Sequence, residues 1–127
     1  MILVDTSVWA ESKSKKRTEL TTKLTALLTS FAVKGHELVY LELMLGDASE
    51  ARKQLLSRYA LAPYLDSLPT ESVVQFVKKH DLAQKGLGAV DCHLLASAHR
   101  AGARLWTLDT HLHAAARTLG IAYDAGA

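Results

Sequence analysis

The sequence predicts an α/β domain: a mostly parallel sheet covered by helices on both faces, in three layers. Three observations lead there. Ile2-Leu3-Val4 is an unbroken apolar run, the pattern of a strand buried on both sides. Further short apolar runs alternate with helical stripes along the chain, as βα units do. Two of these runs end on an aspartate, Asp5 and Asp109, at the expected carboxyl edge of the sheet.

Each element follows from local pattern. Lys13-Ser14-Lys15-Lys16-Arg17 places four cations in five residues, too much charge to bury, and reads as a loop or helix start. Leu20, Leu24, Leu27, Leu28 and Phe31 fall on one face of a helix that stops near Gly35. Leu38-Val39-Tyr40 is short and partly β-favouring, and predicts a second strand running into Glu42. From Leu41 to Ala62 the composition is helical, with a break near Gly46-Asp47. Tyr64 to Leu68 predicts a short third strand closed by Pro69. Thr70 is placed to cap a helix with Val73, Val74 and Val77 inside. After the Gly86-Leu87-Gly88 turn, Val90 to Arg100 predicts a helix with Leu94, Leu95 and Ala98 inward, ended at Gly102. Ala103 to Leu108 predicts a strand delivering Asp109. A helix from about Thr110 to Leu119 and a last strand at Ile121-Ala122-Tyr123 complete the chain.

Composition bounds the function. The chain has 127 residues, 49% hydrophobic and 22% charged, and reads as one soluble domain over 1–127. A formal charge of +2 does not by itself mark a nucleic-acid binder. Cys92 is the single cysteine, which excludes a disulfide scaffold and suits a reducing cytoplasm. The apolar runs are far short of the ~20 residues that span a bilayer, and no secretory leader is expected ahead of Asp5. Two prolines and seven glycines argue against low complexity.

The acids carry the chemistry. Asp5 and Asp109 end strands, Asp91 opens a helix after the glycine turn, and Glu42 follows the predicted second strand. Alone, each has an ordinary explanation: a turn or N-cap for the aspartates, an exposed helical position for Glu42. Together they converge on one sheet edge, and Glu42 and Asp91 sit among apolar neighbours. Two carboxylates ~5 Å apart repel by about 3 kcal/mol at an effective dielectric of about 20, so such a cluster protonates or holds cations. Oxygen-only ligands suit Mg²⁺, with Mn²⁺ as a substitute. Mg²⁺ so held takes up phosphate oxygens and activates water, which points to phosphodiester hydrolysis. Neutralising four acids leaves nine against fifteen cations. Lys13, Lys15, Lys16 and Arg17, with Lys78, Lys79 and Lys85, then become candidate phosphate contacts.

Four segments resemble the motifs of PIN-domain toxins of the VapC type. Met1-Ile-Leu-Val-Asp5-Thr6-Ser7-Val8-Trp9 is similar to that family's opening, and Val39-Tyr40-Leu41-Glu42-Leu43-Met44-Leu45-Gly46 to its second motif. Gly86 to Ser97, around Asp91, resembles the third motif, and Ala103 to Asp109 the fourth. The resemblance spans the chain in order. It implies a sheet of about five parallel strands and a metal-dependent ribonuclease with Asp5, Glu42, Asp91 and Asp109 as its acidic site. It also implies that Thr6, Ser7 and Thr107 orient those carboxylates. A homodimer and a cognate VapB-type antitoxin that blocks the groove are further implications. Leu41 departs from the pattern, standing where a small residue is expected, and so does Cys92 beside Asp91.

Rival chemistries fail on residues. His111 and His113, or His93 and His99, do not share a helix face, so zinc ligation lacks a ligand set. A phosphoaspartyl receiver needs a second acid beside Asp5 and a Lys after the Ala103–Leu108 strand. A haloacid-dehalogenase-type phosphatase needs an Asp where Ser7 stands. A non-catalytic PIN-like module that binds RNA or protein, or a PIN-type nuclease outside a toxin–antitoxin pair, is the alternative. The reading favoured is a Mg²⁺-dependent endoribonuclease that inhibits translation, with Asp5, Asp91 and Asp109 as direct ligands. Glu42 either joins them or orients the attacking water.

Overall fold

Strand β1 (Ile2–Val4) is the centre of the sheet, with β2 (Val33–Lys34) on one side and β3 (Arg104–Trp106) on the other. The computed structural model describes residues 1–14, 17–46 and 49–124. Both neighbours run parallel to β1, Leu3 pairing with Lys34 on one side and Leu105 on the other. Single parallel bridges widen the sheet at each edge, Gly35 with Tyr64 and Leu105 with Ala122. The Leu65 amide donates to the Gly35 carbonyl at 2.9 Å, and the Leu105 amide to the Ile121 carbonyl at 2.7 Å. Five segments thus lie side by side among the described residues. The expected third and last strands are present only as these bridges.

Every residue of β1 is buried, so both faces of the sheet are covered, as its unbroken apolar run requires. Helix α1 (Thr6–Glu11) leaves β1 directly and buries Val8 and Trp9. Helix α2 (Thr18–Thr29) buries Leu20 and Leu24 of the expected stripe. It ends before Phe31, which takes a left-handed conformation (φ 60°) and is exposed. Helices α4 (Glu50–Tyr59), α5 (Thr70–Lys79), α6 (Ala89–Ala101) and α7 (Thr110–Thr118) follow the expected order. Gly102 closes α6 at φ 69°, a left-handed position that costs glycine nothing.

One expected element is a different structure. Leu38-Val39-Tyr40 is not a strand but part of helix α3 (Glu37–Met44), and the second strand lies earlier, at Val33–Lys34. The switch occurs at His36, whose ring accepts the Leu38 amide and starts the helix. Val39 and Leu43 then fall one turn apart and bury together while Leu41 between them is exposed; a strand would put all three on one face. Helix α5 also differs in detail. Thr70 is its first residue rather than its cap, and Val74 is exposed while Val73, Phe76 and Val77 face the core. A step of one residue turns a side chain by about 100° around the axis, enough to bring Val74 out.

The chain builds outward from β1 through β2 to the Tyr64 segment, then crosses back to place β3 and the Ala122 segment on the other side. This reversal opens a crevice between the carboxyl ends of β1 and β3, where open α/β sheets bind ligands.

Candidate functional site

Asp5 is the floor of that crevice. It is only 6% exposed, and its amide donates to the Trp106 carbonyl at 2.9 Å, fixing it beside β3. The Ser7 and Thr107 hydroxyls both donate to Asp5 Oδ2 at 2.7 Å. Each hydroxyl in turn accepts a backbone amide: Leu108 on Ser7 Oγ at 3.0 Å, and Asp109 on Thr107 Oγ1 at 3.1 Å. With an amide proton arriving at each oxygen, each hydroxyl proton is directed at the carboxylate. Buried charge is thus matched by two charge-assisted bonds on one oxygen.

The other acids approach from three helices. Glu42 lies in the last turns of α3, half-buried, and its Oε1 accepts the Thr6 hydroxyl at 2.6 Å. Thr6 opens α1, so this bond ties α3 to the end of β1. Asp91 is the third residue of α6, and its Oδ2 reaches back to the Gly88 amide at 2.9 Å. Burial pushes the Asp91 carboxyl above its ordinary range; the Gly88 amide opposes this, and the charges of Asp5 and Asp109 push it further up. Asp109 caps α7, its Oδ1 accepting the Leu112 amide at 2.9 Å, so the N-cap explanation of this residue is correct alongside its place in the cluster.

Asp5, Asp91 and Asp109 therefore share one electrostatic field, with Glu42 joined through Thr6. Among the described residues, no three His, Cys, Asp or Glu side chains close around a common point. Oxygen donors on separate elements, one of them disfavoured as an anion by its neighbours, fit a hard cation that takes few protein ligands and keeps its waters. The histidines form no such set. A groove of about 430 Å³ is lined by none of the four acids; Lys13 borders it with Thr18, Thr21 and Thr25. Arg17 stands near Glu11 at a loose 3.9 Å. Lys15 and Lys16 fall outside the described residues.

The PIN domain family matches residues 2–118, a span that holds all four acids. Ribonuclease VapC32 of Mycobacterium tuberculosis, in two strains, is 39% identical over 123 residues, covering 96% of this chain and 95% of its own. This chain is a PIN-domain protein of the VapC family. Two solved structures share the fold at lower identity. PAE2754 from Pyrobaculum aerophilum has a TM-score of 0.67 at 19% identity, covering 98% of this chain and 88% of its own. FitAcB from Neisseria gonorrhoeae has a TM-score of 0.67 at 18% identity and covers 98% of both chains.

Sequence reasoning missed one group beside this PIN-domain site. His36 is fully buried, capping α3 and meeting Ser97 of α6 at 3.1 Å. Its signal was a polar residue just ahead of an apolar run. Histidine is outside the usual N-cap set, which hid it.

Proposed function

We propose that this chain is a Mg²⁺-dependent endoribonuclease, the toxin of a type II toxin–antitoxin pair that inhibits translation. The observation that carries the reading is the buried Asp5 carboxylate, oriented by two hydroxyls in the field of Asp91 and Asp109, in a relative of a ribonuclease. Asp5, Asp91 and Asp109 hold the ion, and Mn²⁺ substitutes for it. Ser7 and Thr107 keep Asp5 in one rotamer, and Thr6 does the same for Glu42. Glu42 joins the ligands or aligns the attacking water. When bound, the ion activates water and offsets charge on the phosphoryl oxygens. The water's oxygen bonds to phosphorus, the bond to the leaving ribose oxygen breaks, that oxygen takes up the water's proton, and the RNA separates into two pieces. Lys13, Lys15, Lys16 and Arg17 contact backbone phosphates beyond the cleaved bond. Helix α1, six residues and about 9 Å long, lies between Asp5 and Lys13 in the chain.

Two protein partners belong to this reading, a second copy of the chain and a VapB-type antitoxin, with the cytoplasm as the compartment. Tyr40, Leu41, Met44 and Leu45 leave the outer face of α3 apolar and exposed, surface of the kind a partner covers. The test is cleavage of a whole-cell RNA pool by the antitoxin-free protein in Mg²⁺, Mn²⁺ or EDTA, beside Asp91→Asn. Discrete products that require both the metal and Asp91 are expected. Intact RNA under every condition, with the chain folded, would sink the nuclease reading.

A further inference from the structure

We infer that His36 is a positioning residue: one neutral imidazole sets the helix that carries Glu42 against the helix that carries Asp91. The inference deepens the reading proposed above and rests on it for its kinetic test. His36 lies between the end of β2 and the start of α3. Its Nδ1 accepts the Leu38 amide at 3.1 Å and caps α3, while Nε2 meets Ser97 Oγ of α6 at 3.1 Å. Ser67 Oγ stands at 3.5 Å from the same nitrogen. An acceptor at Nδ1 carries no proton, so the ring proton resides on Nε2 and points to the α6 hydroxyl. Glu42 follows six residues after His36, and Asp91 precedes Ser97 by six.

The backbone of His36 is held as firmly as its ring. The Tyr59 hydroxyl accepts the His36 amide at 2.6 Å and donates to the His36 carbonyl at 2.6 Å. Gly35 makes room for this clamp; a Cβ there would stand 2.8 Å from the Tyr59 oxygen. A proton added at Nδ1 would face the Leu38 amide donor and remove the cap. Two charged groups bear on that protonation, Glu37 on α3 favouring it and His93 on α6 opposing it, while Tyr59 on α4 stays un-ionised. Burial is the largest influence and holds His36 below the ordinary histidine range.

The test compares wild type, His36→Ala and His36→Asn. Asn keeps an acceptor for the Leu38 amide but does not titrate across pH 5–7. At pH 7.5, His36→Ala is expected to lower kcat more than tenfold with KM within twofold, and Asn to restore kcat to within threefold. Below pH 6, wild type should lose more of its activity than the Asn variant. A folded Ala variant with wild-type kcat and pH profile would overturn the inference. Ring ¹⁵N shifts and hydrogen exchange are read on the same proteins. A proton on Nε2 and slow exchange at Leu38 are expected in wild type, with fast exchange at Leu38 in the Ala variant. A proton on Nδ1, or unchanged exchange, would overturn the inference even if wild type cleaves no RNA. That separates its failure from failure of the nuclease reading. If the Ala variant does not fold, the wild-type tautomer and the Asn pH profile still decide.

Discussion

At the floor of the crevice, Asp5 is buried and receives two hydroxyl protons on one oxygen; at the wall, Asp91 accepts the Gly88 amide. The first carboxylate has its charge matched by short bonds from Ser7 and Thr107. The second is pushed towards its neutral form by burial and by the charges of Asp5 and Asp109. The cost of gathering acids thus falls on Asp91 of α6, while at the β1–β3 edge the charge is hydrogen-bonded. Removing charge at the two places should damage activity alike and stability in opposite directions.

The largest expected effect is on cleavage. Asp5→Asn and Asp91→Asn should each lower kcat by about 10³-fold, the scale of several kcal/mol of lost metal assistance. In EDTA the pair should separate. Asp5→Asn exchanges charge-assisted bonds for neutral ones and should cost about 1 kcal/mol. Asp91→Asn relieves repulsion and should leave Tm unchanged or raised. Thermal melts of both variants check this, and a lower Tm for Asp91→Asn would break the contrast.

Next in size is the support beneath Asp5. Thr107→Val keeps the shape but removes a hydroxyl that donates to Asp5 and accepts the Asp109 amide. A loss of about 2 kcal/mol in stability is expected from a buried bond to a charged group. Loss of a group that orients a metal ligand predicts a 10–100-fold drop in metal affinity or activity. Calorimetric Mn²⁺ titration measures the first of these directly. Unchanged affinity would mean that Asp5 holds its rotamer without Thr107.

Why the floor was legible in the sequence and α3 was not has a physical cause. Asp5 and Asp109 announce themselves because apolar strand runs end on them, and Asp91 because a glycine turn precedes an Ala/Leu helix. Helix α3 lacks contrast: Val39 and Leu43 are buried, yet Tyr40 (41%), Leu41 (52%) and Leu45 (77%) are equally apolar and exposed. A helix apolar on both faces has no 3.6-residue signal, so a short window of it reads as a strand. Strand β2 is two residues long with a lysine in it, below what alternation can detect. Glu42 therefore meets Thr6, just past β1, from within a helix rather than from the end of a strand. The hydroxyl network around Asp5 joins residues about 100 positions apart, and local pattern does not encode such pairs.

Acid pH offers a smaller test of the same contrast. Because the folded-state pKa of Asp91 lies above its ordinary 3.8, the folded chain binds that proton more tightly than the unfolded one. Its penalty is present at neutral pH and is relieved as pH falls through the raised value. His36, held below 6.5, runs the other way, its neutral form losing stability as pH falls through 6.5. Asp91→Asn retains His36, so the stability difference between wild type and this variant isolates Asp91. That difference should be widest at pH 7 and close on acidification, and the Tm gain from Mg²⁺ should shrink with it. Urea melts in EDTA at intervals from pH 7 down to pH 4 measure the first. A constant difference would place the raised proton affinity elsewhere than Asp91.

The smallest effect belongs to the basic segment, where Lys13 and Arg17 lie at the surface. Lys13 is exposed beside the hydroxyl-lined groove, and Arg17 stands 3.9 Å from Glu11 with both side chains largely in water. Exposed charges of this kind act through screened, long-range attraction. Lys13→Gln and Arg17→Gln should weaken RNA binding at low salt, each reducing the slope of log K against log salt by about 0.7 on single strands. kcat at saturating RNA should not move, because saturation removes the effect of weaker phosphate contacts. Filter binding across a salt series, with an inactive Asp5→Asn background to keep the RNA whole, reads the slope. An unchanged slope would return both residues to a solvated surface and confine recognition to the crevice itself.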